Sequence, residues 1–137
     1  MDSIRQLAHQ GFKRAATLDW RDTPDDIQFD FIGWTPHGDT EPVIYAYVDI
    51  AGSRLLNIGQ TSGSFRQRSG GYKAWINGKD KNRNAPVNGR WLNCLLGECA
   101  PSKVEVWVKQ SFPDVGNREA EESRLIRELH PILNTRP

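Results

Sequence analysis

The sequence predicts an α/β (α+β) domain built on a small, three-stranded, mainly antiparallel sheet flanked by helices, with an N-terminal helical and extended extension. Three observations carry this expectation. Residues 43–50 and 55–61 are β-type runs rich in Val, Ile, Leu and Tyr, and only Ala51, Gly52, Ser53 and Arg54 separate them, which is the signal of a hairpin. Residues 103–110 alternate strictly, with Val104, Val106 and Val108 on one face and Glu105, Trp107 and Lys109 on the other, so they form a third strand. Glu122, Leu125, Ile126 and Leu129 recur at helical spacing, and Asn117 can cap a last helix that runs to about Leu129.

The 137 residues suit one domain with its own core, here expected over 41–137, preceded by an extension over 1–40 made of a helix and an acidic arm. Ser3 is placed to cap a helix whose apolar positions Ile4, Leu7, Phe12 and Ala15 fall near one stripe, with Gly11 as its weak point. Residues 23–26 read as a turn or helix start, 27–32 as a short strand or extended arm, and 34–39 as a loop. In the first strand of the hairpin, period-two alternation puts Tyr45 and Tyr47 on one face and Ile44 and Ala46 on the other. Beyond the hairpin, Ser64 is expected to cap a short helix over 65–69, and Gly70 and Gly71 then permit a bend before 72–77. Residues 78–89 read as an exposed basic loop and 90–96 as a short helix.

Composition narrows the function classes. No stretch approaches the ~20 apolar residues of a membrane span, and residues 1–10 lack an apolar run of signal-peptide length, so a soluble, cytoplasmic protein with no membrane partner is expected. Cys94 and Cys99 are the only cysteines, and no histidine stands at a zinc-site spacing from them. The net charge of +1 conceals a segregation: residues 17–50 hold eight acids against Arg21 alone, and residues 51–91 hold eight bases against Asp80 alone. A basic block of that density, interleaved with Tyr72 and Trp75, is a footprint for nucleic-acid phosphate. It equally suits a solvated face that pairs with the acidic block.

The order of Val43, Ile44 and Tyr45, then a hairpin, then Asn57, Ile58, Gly59, Gln60 and Thr61, then Phe65, Arg66, Gln67, Arg68 and Tyr72, resembles the GIY-YIG nuclease superfamily. Near the C-terminus Glu122 is followed by Leu125, Ile126, Pro131 and Asn134, similar to the family's closing element. The two halves in order span roughly two-thirds of the chain. The resemblance implies the three-stranded antiparallel fold and a divalent-metal-dependent endonuclease, with Mg²⁺ or Mn²⁺ as cofactor, that leaves a 5′ phosphate and a 3′ hydroxyl. It implies Glu122 as the metal ligand, Arg68 as the arginine at the scissile phosphate with Arg66 as competitor, Tyr72 at a position often held by His or Tyr, and Asn134 as the amide that supports the site. Tyr45 matches the tyrosine of the first motif, whereas Val43 replaces its glycine and Asn57 stands where the second motif usually has tyrosine. The work of orienting or deprotonating water then falls to Tyr45, with Tyr47 as substitute. A phenol of ordinary pKa near 10 needs positive charge beside it for that work, from Arg68 or Lys73.

Residues expected to contact nucleic acid are Gln60, Thr61, Arg66, Lys73, Lys79, Lys81, Arg83 and Arg90. The implied partner is DNA, with RNA as an alternative, and a homodimer is one way to cut both strands. The chain has no room for a large separate recognition domain, which points to a compact restriction, defence-type or structure-specific nuclease. Two rival readings stand beside it. One is a nucleic-acid-binding module that kept the fold and lost catalysis, for which Asn57 argues; the other is an interaction domain whose acidic block meets a basic partner.

Overall fold

The computed structural model describes residues 3–22, 27–50, 53–76, 104–132 and 134. Helix α1 (Ser3–His9) leads into strands β1 (Lys13–Asp22) and β2 (Ile27–Ile32), followed by a 3₁₀ turn at Pro36–Asp39. Strands β3 (Val43–Asp49) and β4 (Arg54–Thr61) form the expected hairpin, and helix α2 (Phe65–Ile76), strand β5 (Val104–Gln110) and helix α3 (Val115–Leu129) complete the domain. The sheet has five strands in the order β2-β1-β5-β3-β4, every neighbouring pair antiparallel. The three strands read from the sequence are its β5-β3-β4 half, and residues 13–32 add the rest. Among the described residues no helix is long and apolar enough to cross a membrane.

The N-terminal helix stops earlier than its apolar spacing suggests. Gly11 takes φ +93°, its N–H reaches the Ala8 carbonyl, and the Phe12 N–H reaches the Leu7 carbonyl at 3.0 Å. This left-handed glycine end closes the helix and packs Leu7 against the same cluster as Phe12. Ala15 therefore belongs to a strand. Strand β1 escapes detection by alternation because a bulge between Arg14 and Ala16 interrupts its register with β5, and Ala15, Ala16, Thr17 and Leu18 are all buried.

The sheet separates two cores. On one face, Val43, Tyr45, Tyr47, Leu56, Val104, Val106 and Val108 pack with Phe65 of α2 and with Phe31 and Trp34. On the other, Ile44, Ala46, Val48, Leu55 and Ile58 meet Leu7 and Phe12 and the Leu125 and Ile126 pair of α3. Strand β3 is buried along its whole length because both faces are covered.

Two local expectations change. Helix α2 runs unbroken through Gly70 and Gly71 to Ile76; an added Cβ at Gly70 would meet open space, so no close approach accounts for it. Ser64 does cap this helix, its Oγ accepting from the Gln67 N–H at 3.2 Å. The cap of α3 is Asp114, whose Oδ2 accepts from the Asn117 N–H at 2.9 Å, so Asn117 lies inside the helix. The loop over 78–89, the helix over 90–96 and both cysteines lie outside the described residues.

Candidate active site

Strand β4 forms one edge of the sheet, and the candidate residues gather on it from both faces. Tyr45 stands opposite Gly59 in the β3–β4 ladder, and its ring crosses directly over that glycine. A Cβ at Gly59 would lie 2.5 Å from both Cζ and Oη of Tyr45, so only glycine leaves room for the phenol on the edge strand. The Phe65 ring lies 5.0 Å from Tyr45 and Tyr47 lies 5.8 Å away, nearly perpendicular, which holds the ring in a fixed orientation. Tyr45 is 2 % exposed. Arg68 follows Phe65 by one turn of α2 and is exposed, which puts it on the helix that covers this tyrosine.

Arg66, the competing arginine, is tied elsewhere. Its guanidinium carbon lies 4.8 Å from the Trp34 ring centre, and its Nε is 3.4 Å from an Asp39 oxygen. Both partners come from the N-terminal segment, so Arg66 docks α2 onto the 3₁₀ turn.

Helix α3 approaches β4 from the opposite face. Arg118 donates from Nε to Gln60 Oε1 at 2.5 Å, and Glu121 pairs with Lys109 of β5 at 2.7 Å while accepting from Ser111 Oγ at 3.3 Å. With Leu125 and Ile126 buried beneath it, the helix cannot rotate freely. Glu122 lies one turn beyond Arg118 and about 40° around the helix from it, on the side away from Glu121 and between the buried Leu125 and Ile126. Loss of solvent, and secondarily the charge of Glu119, raises its carboxyl above the ordinary carboxylate range. No described residue forms an ion pair with it.

Asn134 binds the edge itself. Its Oδ1 accepts from the Ile58 N–H at 2.8 Å and its Nδ2 donates to the Ile58 carbonyl at 2.9 Å, as a sixth strand would. Ile132 adds a bond from its N–H to the Leu55 carbonyl. Asn57, opposite Tyr47, is 3 % exposed, and neither amide atom has a hydrogen-bond partner among the described residues. Thr61 ends β4, its Oγ1 accepting from the Gly63 N–H. Tyr72 and Lys73 fall within α2; Lys79, Lys81, Arg83 and Arg90 lie outside the described residues.

No sequence pattern singles out Arg118. An arginine among Asn117, Glu119 and Glu121 reads as solvated helix, yet it is 4 % exposed. Only its distance of one turn from Glu122, on the same stripe, offered a hint.

A divalent cation suits Glu122 on this geometry. The carboxylate is partly desolvated without a described counter-charge, and a hard oxygen donor is what Mg²⁺ prefers. Among the described residues no three His, Cys, Asp or Glu side chains stand close enough to make a protein cage. A single carboxylate completed by water and phosphate oxygens matches the way Mg²⁺ is commonly held.

The architecture is shared with solved structures. A mutant of bacteriophage T4 EndoII superimposes with a TM-score of 0.66 and 22 % identity, over 98 % of this chain and 99 % of that one. The restriction endonuclease HPY188I in complex with product DNA gives a TM-score of 0.59 and 14 % identity, over 100 % of this chain and 87 % of that one. At these identities the likeness is one of fold. No protein-family model matches the sequence, and no curated protein does.

Proposed function

We propose that this protein is a divalent-metal-dependent endonuclease of the GIY-YIG type, hydrolysing phosphodiester bonds of DNA to leave a 5′ phosphate and a 3′ hydroxyl. The observation that carries the reading is convergence on the edge strand. Tyr45 crosses Gly59 from one face, α3 meets Gln60 from the other with Glu122 a turn away, and Asn134 clamps Ile58 between them. Similarity of fold to a restriction endonuclease solved with product DNA supports it.

On this reading Tyr45, ionised to the phenolate, accepts a hydrogen bond from the attacking water and takes its proton as the bond to phosphorus forms, returning to the neutral phenol. Arg68 holds two phosphate oxygens in its planar fork and offsets the charge that develops on them. Glu122 would hold Mg²⁺ or Mn²⁺, and the metal, when bound, would supply positive charge to offset the negative charge of the leaving group. Asn134 holds the backbone of β4 at Ile58, and Tyr72, Lys73, Lys79, Lys81, Arg83 and Arg90 are the further residues assigned to the nucleic acid. A homodimer of such sites would cut both strands of a duplex.

The test is cleavage of supercoiled plasmid with Mg²⁺ or Mn²⁺, with Glu122→Ala, Arg68→Ala and Arg66→Ala purified identically. The parent is expected to nick or linearise the plasmid. Glu122→Ala and Arg68→Ala should lose cutting while keeping most of their DNA affinity, and Arg66→Ala should keep cutting. Cleavage by Glu122→Ala at the parent's rate would overturn the assignment.

One observation favours a second reading, a binding module of the same fold without catalysis: Asn57, at the second tyrosine position, is buried with no partner among the described residues. Metal-independent DNA binding by a parent that cuts neither plasmid nor branched DNA would establish it.

A further inference from the structure

We infer that Arg118 is a positioning residue that fixes Gln60 as a hydrogen-bond donor to a phosphate oxygen of the nucleic acid. The inference rests on the nuclease reading and deepens it. Arg118 is 4 % exposed, and the acceptors around it are all neutral: Gln60 Oε1 for its Nε, and the Phe112 and Pro113 carbonyls, at 2.9 and 3.1 Å, for its Nη1. No described carboxylate forms an ion pair with it.

A guanidinium has donors only. The Gln60 atom that faces Arg118 must therefore be the oxygen, and the amide orientation follows from chemistry. The NH₂ group is turned to the opposite side, on a residue that is half-exposed, and no described residue accepts its protons. Positive charge on the oxygen side of an amide also polarises its N–H bonds, which strengthens them as donors.

The choice of glutamine is informative. If residue 60 served only to accommodate a buried arginine, glutamate would do so better, since an uncompensated buried charge is costly and a carboxylate would neutralise it. Glutamate, however, offers no donor. Glutamine forgoes neutralisation and keeps an N–H pair on the side away from Arg118. Gln60 adjoins Gly59, the residue beneath the Tyr45 phenol, and Arg118 is one turn from Glu122. A donor at that point meets a group that only accepts, and on a nuclease edge strand that group is a non-bridging phosphate oxygen.

The experiment uses the whole chain, a labelled DNA duplex and two further duplexes of unrelated sequence, with affinity measured by fluorescence anisotropy in EDTA and cutting measured with Mg²⁺. Gln60→Glu should melt no lower than the parent, because it pairs with Arg118, yet bind each duplex about ten-fold more weakly. Gln60→Met should lose a similar factor, which excludes simple charge repulsion. Arg118→Gln, checked for folding by circular dichroism, frees the Gln60 amide to turn and should also weaken binding on all three duplexes. A parent that cuts, beside Gln60→Glu and Gln60→Met variants that bind as the parent does, overturns this inference alone. Losses confined to one duplex overturn it in favour of a base contact. A parent that neither binds nor cuts DNA overturns the nuclease reading and this inference with it.

Discussion

Replacing Gly59 with alanine places one methyl group where the structure has a phenol. The added carbon would lie 2.5 Å from Cζ and Oη of Tyr45 and 2.8 Å from its Cε2, about 1 Å inside ordinary contact. The ring has no easy escape: it is 2 % exposed, with Phe65 5.0 Å away and Tyr47 edge-on at 5.8 Å. Overpacking of this kind costs about 1–3 kcal/mol. Without the ring the sign should reverse, because alanine in a strand is favoured over glycine by roughly 0.5–1 kcal/mol. Urea denaturation of the parent, Gly59→Ala, Tyr45→Ala and the double variant therefore forms a cycle with a coupling of about 2–4 kcal/mol. Displacing the phenol by about 1 Å should also lower the rate of plasmid nicking by roughly a hundred-fold. Equal destabilisation by Gly59→Ala in both backgrounds, or full activity in the single variant, would refute the claim that glycine is there to let the tyrosine cross.

Asn134→Ala removes both bonds to Ile58 and should destabilise by about 1–3 kcal/mol, with faster hydrogen exchange at the Ile58 amide than at β3 amides. Asn57→Leu replaces a buried amide that has no described partner with an apolar group of similar volume, and should raise the urea midpoint by an amount worth about 1 kcal/mol or more. Glu122→Gln should be more stable than the parent at neutral pH without divalent cations. A carboxyl whose folded pKa is raised binds more protons folded than unfolded, so its penalty is present above that pKa and vanishes as pH falls below the ordinary glutamate value. Thermal melts from pH 4 to 8 should show the two proteins converging at the acid end, and Mg²⁺ should raise the melting temperature of the parent only.

The parts of the fold that follow a simple period were legible. Valines 104, 106 and 108 alternate, and the β3–β4 hairpin is bounded by turn residues, so both appeared where expected. Strand β1 did not, because its bulge buries Ala15 and Ala16 side by side and erases the alternation. In the site, the spacing of Glu122, Leu125 and Ile126 told which helix face turns inward, but not that Arg118 shares the burial. Nothing local distinguishes an arginine that covers β4 from one in water. The docking of Arg66 was likewise illegible in one dimension, since Trp34 and Asp39, which hold it, are separated from it by 27 residues or more.

The edge position explains why these residue types occur together. Side chains that alternate along an interior strand face opposite cores and stay apart by the thickness of the sheet, so a phenol from one face and a carboxylate from the other cannot act on one substrate there. At an edge the two faces meet. Gly59 leaves the Tyr45 ring room to lie over the edge strand, and Arg118 and Glu121 fix the helix that carries Glu122 against the sheet. An open edge is also a template for unwanted pairing. Asn134 occupies the Ile58 backbone groups and Ile132 the Leu55 carbonyl, so the strand is closed to another chain at these positions. On this view Asn134 has two separable jobs, blocking association and holding the strand. Its alanine variant should therefore form dimers or aggregates at concentrations where the parent stays monomeric, an outcome that sedimentation would reveal and that a loss of local rigidity alone would not produce.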